Sequence, residues 1–241
     1  YLEFLGRPPN SIDVETALTM PGGGCWHTAP GQITDDGEMT IALARALADD
    51  GDFDIRKIAK SYRRWFESHP FDVGNAPHAA LRSGDLDAPD LHQICMSNAD
   101  RHNLASKANG CLMRATPLGV WGTHHDIEDV VSAAKADCQL THPNATCQIA
   151  SASYVIAIRH LILNPADKFG AFDAAYDVAE AHGNDEVRLF LKNAKVGQLP
   201  ECHPQAGYLG IAFTHAFYHL LSGSSYIETL RTVFAGGGDT D

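Results

Sequence analysis

Two pairs of carboxylates, one near each end of the chain, have the residue types and the spacing of a metal site. Asp35 and Asp36 follow a possible N-cap, Thr34, at the start of a segment with helical periodicity, and Asp239 and Asp241 follow three glycines. Acids in a first helical turn face the positive end of the helix dipole, and residues i and i+2 of an extended segment project to the same side. The pattern predicts two halves of one oxygen-only site. The alternative for the first pair is an ordinary helix start.

The segments that must position these carboxylates have the periodicity of helices. Apolar residues recur at helical spacing over residues 35–49, 55–68, 126–138, 146–163, 169–182, 185–193, 206–221 and 226–234. Residues 83–103 are polar and are expected to be irregular, and only short strand-like runs occur. The chain is therefore predicted to be all-α, a single domain over 1–241 with nine or ten helices.

Composition restricts the classes of partner. The 241 residues are 44% hydrophobic and 20% charged, as in ordinary globular domains, and the formal net charge is −12. A nucleic-acid partner is not expected because Lys and Arg form no cluster, and no membrane partner is expected because no apolar run approaches the length of a membrane span. The six cysteines show no paired spacing and are expected to be reduced, cytoplasmic thiols, and the thirteen histidines form no zinc pattern.

Four motifs in a fixed order resemble the ADP-ribosylglycohydrolase family. They are Thr34-Asp35-Asp36-x-Glu38-Met39, Asn109-Gly110-x-x-Met113-Arg114, Leu140-Thr141-His142-Pro143 and Gly237-Gly238-Asp239-Thr240-Asp241. Residues 22–33 and 71–75 look most like the family's bacterial branch, the dinitrogenase-reductase-activating glycohydrolases. The resemblance implies a compact orthogonal helical bundle, and against the family pattern the chain looks trimmed at both ends.

The resemblance also implies a dinuclear centre of Mg²⁺ or Mn²⁺ between the two acidic motifs. Carried over to this sequence, the metal ligands are Thr34, Asp35, Asp36, Asp239 and Asp241. Hydroxyl and carboxylate oxygens suit these hard cations, and the absence of Cys and His from the set argues against zinc. The ions would clamp the ribose diol and orient or activate a water for hydrolysis at the ribose C1″. Gly37 departs from the family pattern, which usually has a second Thr at this position.

Three carboxylates match the catalytic acids of the family. Asp36 and Glu3 are candidates for general-base help, and Glu3 matches the family's N-terminal acid. Asp72 matches an acid that approaches the substrate, and it is the candidate for orienting or protonating the ribose. The alternative for Asp72 is a turn residue that precedes a glycine.

Five further positions are candidates for binding the substrate. Ser106, Asn109 and Gly110 resemble a loop that cradles the diphosphate through backbone N–H groups, which requires small residues so that the backbone approaches the anion. His142 resembles a histidine that contacts the substrate, with a helix-terminus residue as the alternative. Tyr208 is a candidate for packing on a base or a sugar, with core or rim packing as the alternative.

The resemblance predicts a hydrolase that releases ADP-ribose from a modified protein or from a small-molecule ADP-ribose conjugate. An arginine side chain is the favoured linkage, and this preference follows from the likeness to the bacterial branch alone. Other linkages, namely serine, O-acetyl or a nucleic-acid base, are the alternatives among enzymes. A non-catalytic, crystallin-like relative and a purely structural, metal-stabilised bundle are the alternatives from other classes.

Overall fold

The computed structural model describes residues 2, 5, 7–49 and 51–240, so Glu3 and Asp241 lie outside the described residues. In the described part the chain forms twelve α-helices and no strand, which confirms the all-α prediction. The helices are α1 (Ser11–Ala17), α2 (Asp35–Ala48), α3 (Ile55–Glu67), α4 (Asn75–Leu81), α5 (Leu91–Asn103), α6 (Thr116–Trp121), α7 (Ile127–Gln139), α8 (Ala145–Leu163), α9 (Lys168–Ala181), α10 (Asp185–Val196), α11 (Leu209–Ser222) and α12 (Tyr226–Gly236). Two short 3₁₀ turns cover Asn109–Cys111 and Gly122–His124.

Helix α2 is anchored by one apolar stripe. Met39, Leu43 and Leu47 recur at four-residue spacing, and all three are buried in the core. Burial of such a side chain contributes roughly 1.5–3 kcal/mol. On the neighbouring face the carboxylate of Glu38 accepts a hydrogen bond of 2.7 Å from the indole Nε1 of Trp65 in α3. The stripe and this bond fix the position of the acidic N-terminal end of α2 relative to the core.

Helix α8 lies between two groups of helices. It packs against α7 and α6 on one side and against α9 on the other. One buried cluster contains residues of α2 to α9, mostly from α2, α3, α6, α7 and α8. The second contains residues of α7 to α11, mostly from α8, α9, α10 and α11. The second cluster includes Cys111 and Leu112 from the segment that precedes α6. Both halves of the core therefore support the loops that carry the predicted site residues.

Helix α8 corresponds to the apolar helix predicted over residues 146–163, but it contradicts the expectation about membrane spans. It has 19 residues, and within the described chain it is the one helix long and apolar enough to cross a membrane. The expectation that no apolar segment approaches this length is wrong. More than half of the segment, 56%, is buried inside the protein, as is usual for a core helix. That this protein has no membrane partner stays a prediction.

Residues 83–103 were expected to be irregular, but the structure places α5 over Leu91–Asn103. Its buried face consists of Leu91, Cys95 and Ala99, a stripe only one residue wide in an otherwise polar helix. Such a narrow stripe gives a weak periodic signal. The side-chain amide of Asn103, the last residue of α5, donates to the carbonyl oxygens of Ala76 and Thr141, both at 2.9 Å. Tertiary contacts therefore support a helix that composition does not reveal.

Candidate active site

A cavity of about 1060 Å³ lies where the N-terminal ends of α2 and α4 meet the loops before α6 and α11 and the segment after α12. Eight of the predicted site residues line it, namely Asp35, Asp36, Asp72, Ser106, Asn109, Gly110, His142 and Asp239. The cavity lining does not include Thr34 or Tyr208. The described members of the two acidic pairs thus face one cavity, although about 200 positions separate them in the sequence.

The first acidic pair is held by the start of α2. Thr34 is the N-cap residue, as predicted, and its carbonyl oxygen accepts the Glu38 N–H at 3.0 Å, but its side chain makes no capping bond. Asp35 is buried, with 8% of its surface exposed, and Asp36 is half-buried. Acidic side chains suit the positive end of the helix dipole. The start of α2 therefore places both carboxylates at the wall of the cavity.

The space beside Gly37 explains the departure from the family pattern. A Cβ atom at this position would lie 2.8 Å from the Cβ atom of Ile33, closer than real contacts allow. Ile33 therefore covers the place that a larger side chain at position 37 would take. The glycine reflects local packing at the start of α2, which leaves the two acids that precede it facing the cavity.

The second acidic pair follows a glycine-rich turn that crosses another loop closely. Gly238 has φ +85°, and a Cβ atom there would lie 2.9 Å from the Cβ atom and the carbonyl oxygen of Cys202. Only glycine combines this backbone conformation with so close an approach. The turn directs Asp239 into the cavity, where its Oδ2 accepts a hydrogen bond of 2.6 Å from the side-chain amide of Asn109.

The chemistry of the donor set fits Mg²⁺ or Mn²⁺. The predicted ligands that the structure describes, Thr34, Asp35, Asp36 and Asp239, offer oxygen atoms only, as these cations require. Over residues 2, 5, 7–49 and 51–240, no three carboxylate, imidazole or thiol side chains converge closely enough to hold one ion. The fifth predicted ligand, Asp241, and the candidate base Glu3 lie outside this range.

Backbone hydrogen bonds connect the 106–110 loop to residues 207–209. The Asn109 N–H donates to the Gly207 carbonyl oxygen at 2.9 Å, and the Leu209 N–H donates to the Lys107 carbonyl oxygen at 2.9 Å. The Asn109 N–H is thus used within the fold, and the Asn109 side chain reaches Asp239 instead. Ser106 and Gly110 line the cavity wall, and the Ser106 N–H donates to the Asn103 carbonyl oxygen at 2.9 Å. That the loop binds the diphosphate stays a prediction.

His142 lies directly beneath this loop. A Cβ atom on Gly110 would lie 3.1 Å from the Cε1 atom of His142, so a glycine allows the close contact. The Nδ1 atom of His142 is 2.8 Å from the hydroxyl of Thr141, whereas Nε2 is buried without a hydrogen-bond partner among the described residues. Burial lowers the pKa of His142, so the imidazole is neutral at pH 7. A neutral imidazole offers hydrogen bonds and no charge, and the predicted contact of His142 with the substrate stays a prediction.

Tyr208 lies behind the cavity wall. Its hydroxyl donates to the Oε1 atom of Glu186 at 2.9 Å, and its ring packs edge-on against Phe190 with 6.1 Å between the ring centroids. Burial and the neighbouring Glu186 carboxylate raise the pKa of Tyr208 to about 12. The contacts are those of the packing alternative, and the predicted role in binding a base or sugar stays a prediction.

Sequence reasoning missed several residues that line the cavity. Arg7 reaches it from the segment before α1 and forms an ion pair with Asp13, 2.6 Å between Nη1 and Oδ2. Asn75 and Pro77 contribute from the first turn of α4, and His203 from the loop before α11. Asn75 belongs to the motif over residues 71–75 that carries the resemblance, whereas the segments of Arg7 and His203 have no apolar periodicity and are marked only by prolines.

A buried ion pair supports the floor of the site. Arg114, at the end of the second family motif, has no exposed surface, and its Nε atom lies 3.2 Å from the Oδ2 atom of Asp137. The other carboxylate oxygen of Asp137 accepts a hydrogen bond of 2.7 Å from Tyr62, whose ring lies 4.3 Å from the Arg114 guanidinium. These contacts link α3 and α7 to the segment that follows Gly110.

Comparison with known proteins relates the chain to one family. The sequence model of the ADP-ribosylglycohydrolase family matches residues 1–241. The chain is 33% identical over 167 residues to the ADP-ribosyl-[dinitrogen reductase] glycohydrolase of Rhodospirillum rubrum, a match that covers 67% of this chain and 52% of the relative. It is 28% identical over 174 residues to an ADP-ribosylarginine hydrolase of Pseudomonas putida, covering 69% of this chain and 43% of the relative. These matches span about half the length of either relative.

A solved structure shares the architecture. The structure described as an ADP-ribosylglycohydrolase-related protein complex superimposes with a TM-score of 0.75 at 25% sequence identity, covering 99% of this chain and 75% of the other. The predicted helical-bundle fold is thereby confirmed. Since the family's sequence model matches over the full length, the chain belongs to the ADP-ribosylglycohydrolase family.

Proposed function

We propose that this chain hydrolyses the glycosidic bond between ADP-ribose and an arginine side chain of a protein. The observation that carries the proposal is that Asp35, Asp36, Asp72 and Asp239 line one cavity of about 1060 Å³. Small-molecule sites of about 300–1,000 Å³ are usual, so the cavity accommodates a ligand the size of ADP-ribose. One relative, named an ADP-ribosylarginine hydrolase, supports the arginine linkage. Another, named for ADP-ribosyl-[dinitrogen reductase], supports a modified protein as the substrate.

We infer that two divalent cations, Mg²⁺ or Mn²⁺, are the cofactors. The residues that would hold them are Thr34, Asp35, Asp36, Asp239 and Asp241, and the oxygen-only chemistry of this set supports the inference. Bound there, the ions would supply Lewis-acid stabilisation of negative charge on oxygen atoms of the ribose and of the attacking water. The hydrogen bond from Asn109 to Asp239 would fix the orientation of one of these ligands.

The protein's own groups would bind and orient the two reactants. Hydrolysis adds water at the ribose C1″ while the arginine nitrogen leaves with a proton, through an oxocarbenium-like transition state. Asp72, on the cavity wall, would orient the ribose or supply that proton. Asp36 and Glu3 are the carboxylates available as a general base. The neutral His142 and the small residues of the 106–110 loop would hold the diphosphate end of the substrate.

A panel of ADP-ribose linkages tests this function. The protein is incubated with ADP-ribosyl-arginine, ADP-ribosyl-serine, O-acetyl-ADP-ribose and an ADP-ribosylated oligonucleotide, each with Mn²⁺ or with EDTA. We expect release of free ADP-ribose from the arginine conjugate, fastest among the four, and loss of release in EDTA because the carboxylate cluster then lacks its cations. Chromatography of free ADP-ribose measures both results.

The other outcomes correspond to the alternatives. If ADP-ribose is released fastest from the serine, acetyl or nucleic-acid conjugate, then that linkage, and not arginine, is the substrate. Release that persists unchanged in EDTA would contradict the dinuclear centre. If no conjugate releases ADP-ribose with Mn²⁺ present, the chain is a non-catalytic relative.

A further inference from the structure

The carboxylate of Glu186 joins three separate segments behind the cavity. It lies in the first turn of α10, and its Oε2 atom accepts hydrogen bonds from the Lys107 ammonium at 2.6 Å and the Thr146 hydroxyl at 2.8 Å. Its Oε1 atom accepts the Tyr208 hydroxyl at 2.9 Å. Lys107 belongs to the 106–110 loop, Thr146 to the first turn of α8, and Tyr208 to the start of α11.

Two of these donors sit on segments that are also joined through their backbones. The Lys107 carbonyl oxygen accepts the Leu209 N–H, and the Asn109 N–H donates to the Gly207 carbonyl oxygen, both at 2.9 Å. The 106–110 loop and residues 207–209 therefore form one unit. Glu186 contacts both parts of this unit, through Lys107 and through Tyr208. It thereby connects the unit to α10, where Glu186 lies, and to α8, where its partner Thr146 lies.

Glu186 is ionised, as a carboxylate that accepts hydrogen bonds from Lys107, Thr146 and Tyr208 should be. Partial burial would raise the pKa of the carboxyl group, but the hydrogen bonds from Lys107, Thr146 and Tyr208 outweigh it and hold the pKa below its usual value. The carboxylate is thus ionised at pH 7, and the Tyr208 hydroxyl, whose pKa is raised, is protonated and donates. Glu186 does not line the cavity itself.

We propose that Glu186 is a positioning residue, which holds the 106–110 loop in the geometry that receives the diphosphate of the substrate. This inference rests on the proposed function. A binding loop that is held in its bound conformation before the ligand arrives avoids the cost of ordering its groups at binding, so its loss lowers affinity for the ligand. Lys107 connects Glu186 to the loop directly, and Tyr208 connects it through the backbone bonds of residues 207–209, so Glu186 can hold the loop from outside the cavity.

Glu186→Gln tests the inference, with Asp185→Asn as the matched control. Asp185 lies in the same helical turn and carries the same charge, but it is exposed and pairs with Arg188, not with the loop. For Glu186→Gln we expect the KM for ADP-ribosyl-arginine and the Kd for ADP-ribose to rise about tenfold, the loss that accompanies one charge-assisted hydrogen bond. The kcat and the affinity for Mn²⁺ stay near those of the parent, because no metal or catalytic residue changes.

Two further measurements separate positioning from general destabilisation. Hydrogen exchange at residues 106–110 should rise in Glu186→Gln and not in Asp185→Asn. Combined with Lys107→Gln, Glu186→Gln should add little to the effect on Kd, since both substitutions break the same ion pair.

The results distinguish this inference from the proposed function. If the parent binds ADP-ribose and Glu186→Gln binds it equally well, only the positioning role is overturned. A joint fall in kcat, Mn²⁺ affinity and melting temperature would also overturn it, because that pattern indicates a purely structural residue. If the parent binds no ADP-ribose with Mn²⁺ present, the proposed function fails, and the positioning role fails with it.

Discussion

Asp72→Asn is expected to lower turnover of ADP-ribosyl-arginine by about 10²–10⁴-fold, the usual range for loss of a positioned acid or base. The amide keeps the shape of the Asp72 side chain but can neither carry the negative charge nor deliver a proton. Asp72 lies on the cavity wall, in the turn before α4. The predicted metal ligands lie on other segments, at the start of α2 and after α12. The affinity for Mn²⁺ should therefore stay near that of the parent.

Asp36→Asn is the matched comparison, since the same chemical change is made at a predicted metal ligand. A carboxamide binds a hard cation weakly, so activity and Mn²⁺ affinity should fall together. We would measure kcat/KM and the affinity for Mn²⁺ for both variants. These values distinguish a loss of activity alone from a joint loss of activity and metal binding. If Asp72→Asn turns over the substrate like the parent, Asp72 is a turn residue, and the catalytic role moves to Glu3 or to a water alone.

Arg114→Leu is expected to cost about 3–5 kcal/mol of unfolding free energy, the range measured when one partner of a buried ion pair is removed. Arg114 has no exposed surface and Asp137 has 1%, so the carboxylate would stay in the core without its cation. Among the described residues, the Tyr62 hydroxyl would be the one remaining hydrogen-bond donor to this carboxylate. Urea denaturation of the variant and the parent measures the difference.

Arg231→Leu provides the control for this prediction. Arg231 pairs with Glu15 at 2.7 Å, but both side chains are exposed, and such surface pairs contribute little. The same substitution should therefore leave the denaturation midpoint almost unchanged. Equal midpoints for Arg114→Leu and Arg231→Leu would contradict a supporting role for the buried pair.

The helices that could be predicted from the sequence are those with a wide apolar face. Residues 35–49 and 55–68 gave clear periodicity, and α2 and α3 occupy Asp35–Ala48 and Ile55–Glu67. Helix α5 was missed because its buried stripe, Leu91, Cys95 and Ala99, is one residue wide. The structure describes twelve helices, more than the nine or ten expected. Short and polar helices gain their stability from tertiary contacts, so their sequences carry only a weak periodic signal.

The site could be predicted where its residues fall in compact motifs. Asp35, Asp36 and Asp239 were assigned to one site from their spacing and the resemblance, and the structure places them around one cavity. The role of Glu186 could not be predicted, because it depends on contacts with Lys107 and Thr146, 79 and 40 positions away in the sequence. No local pattern encodes such an arrangement, which appears only when α8, α10 and the 106–110 loop pack together.

The most direct test of the account is a crystal structure of this protein with Mn²⁺ and ADP-ribose. We predict anomalous density for two ions between the start of α2 and the segment after Gly238. The ribose diol should lie on the ions, and the diphosphate should lie against the 106–110 loop. ADP-ribose bound elsewhere, or a cavity that contains neither ion when Mn²⁺ is saturating, would contradict the proposal that these acids form a metal-dependent ADP-ribosyl hydrolase site.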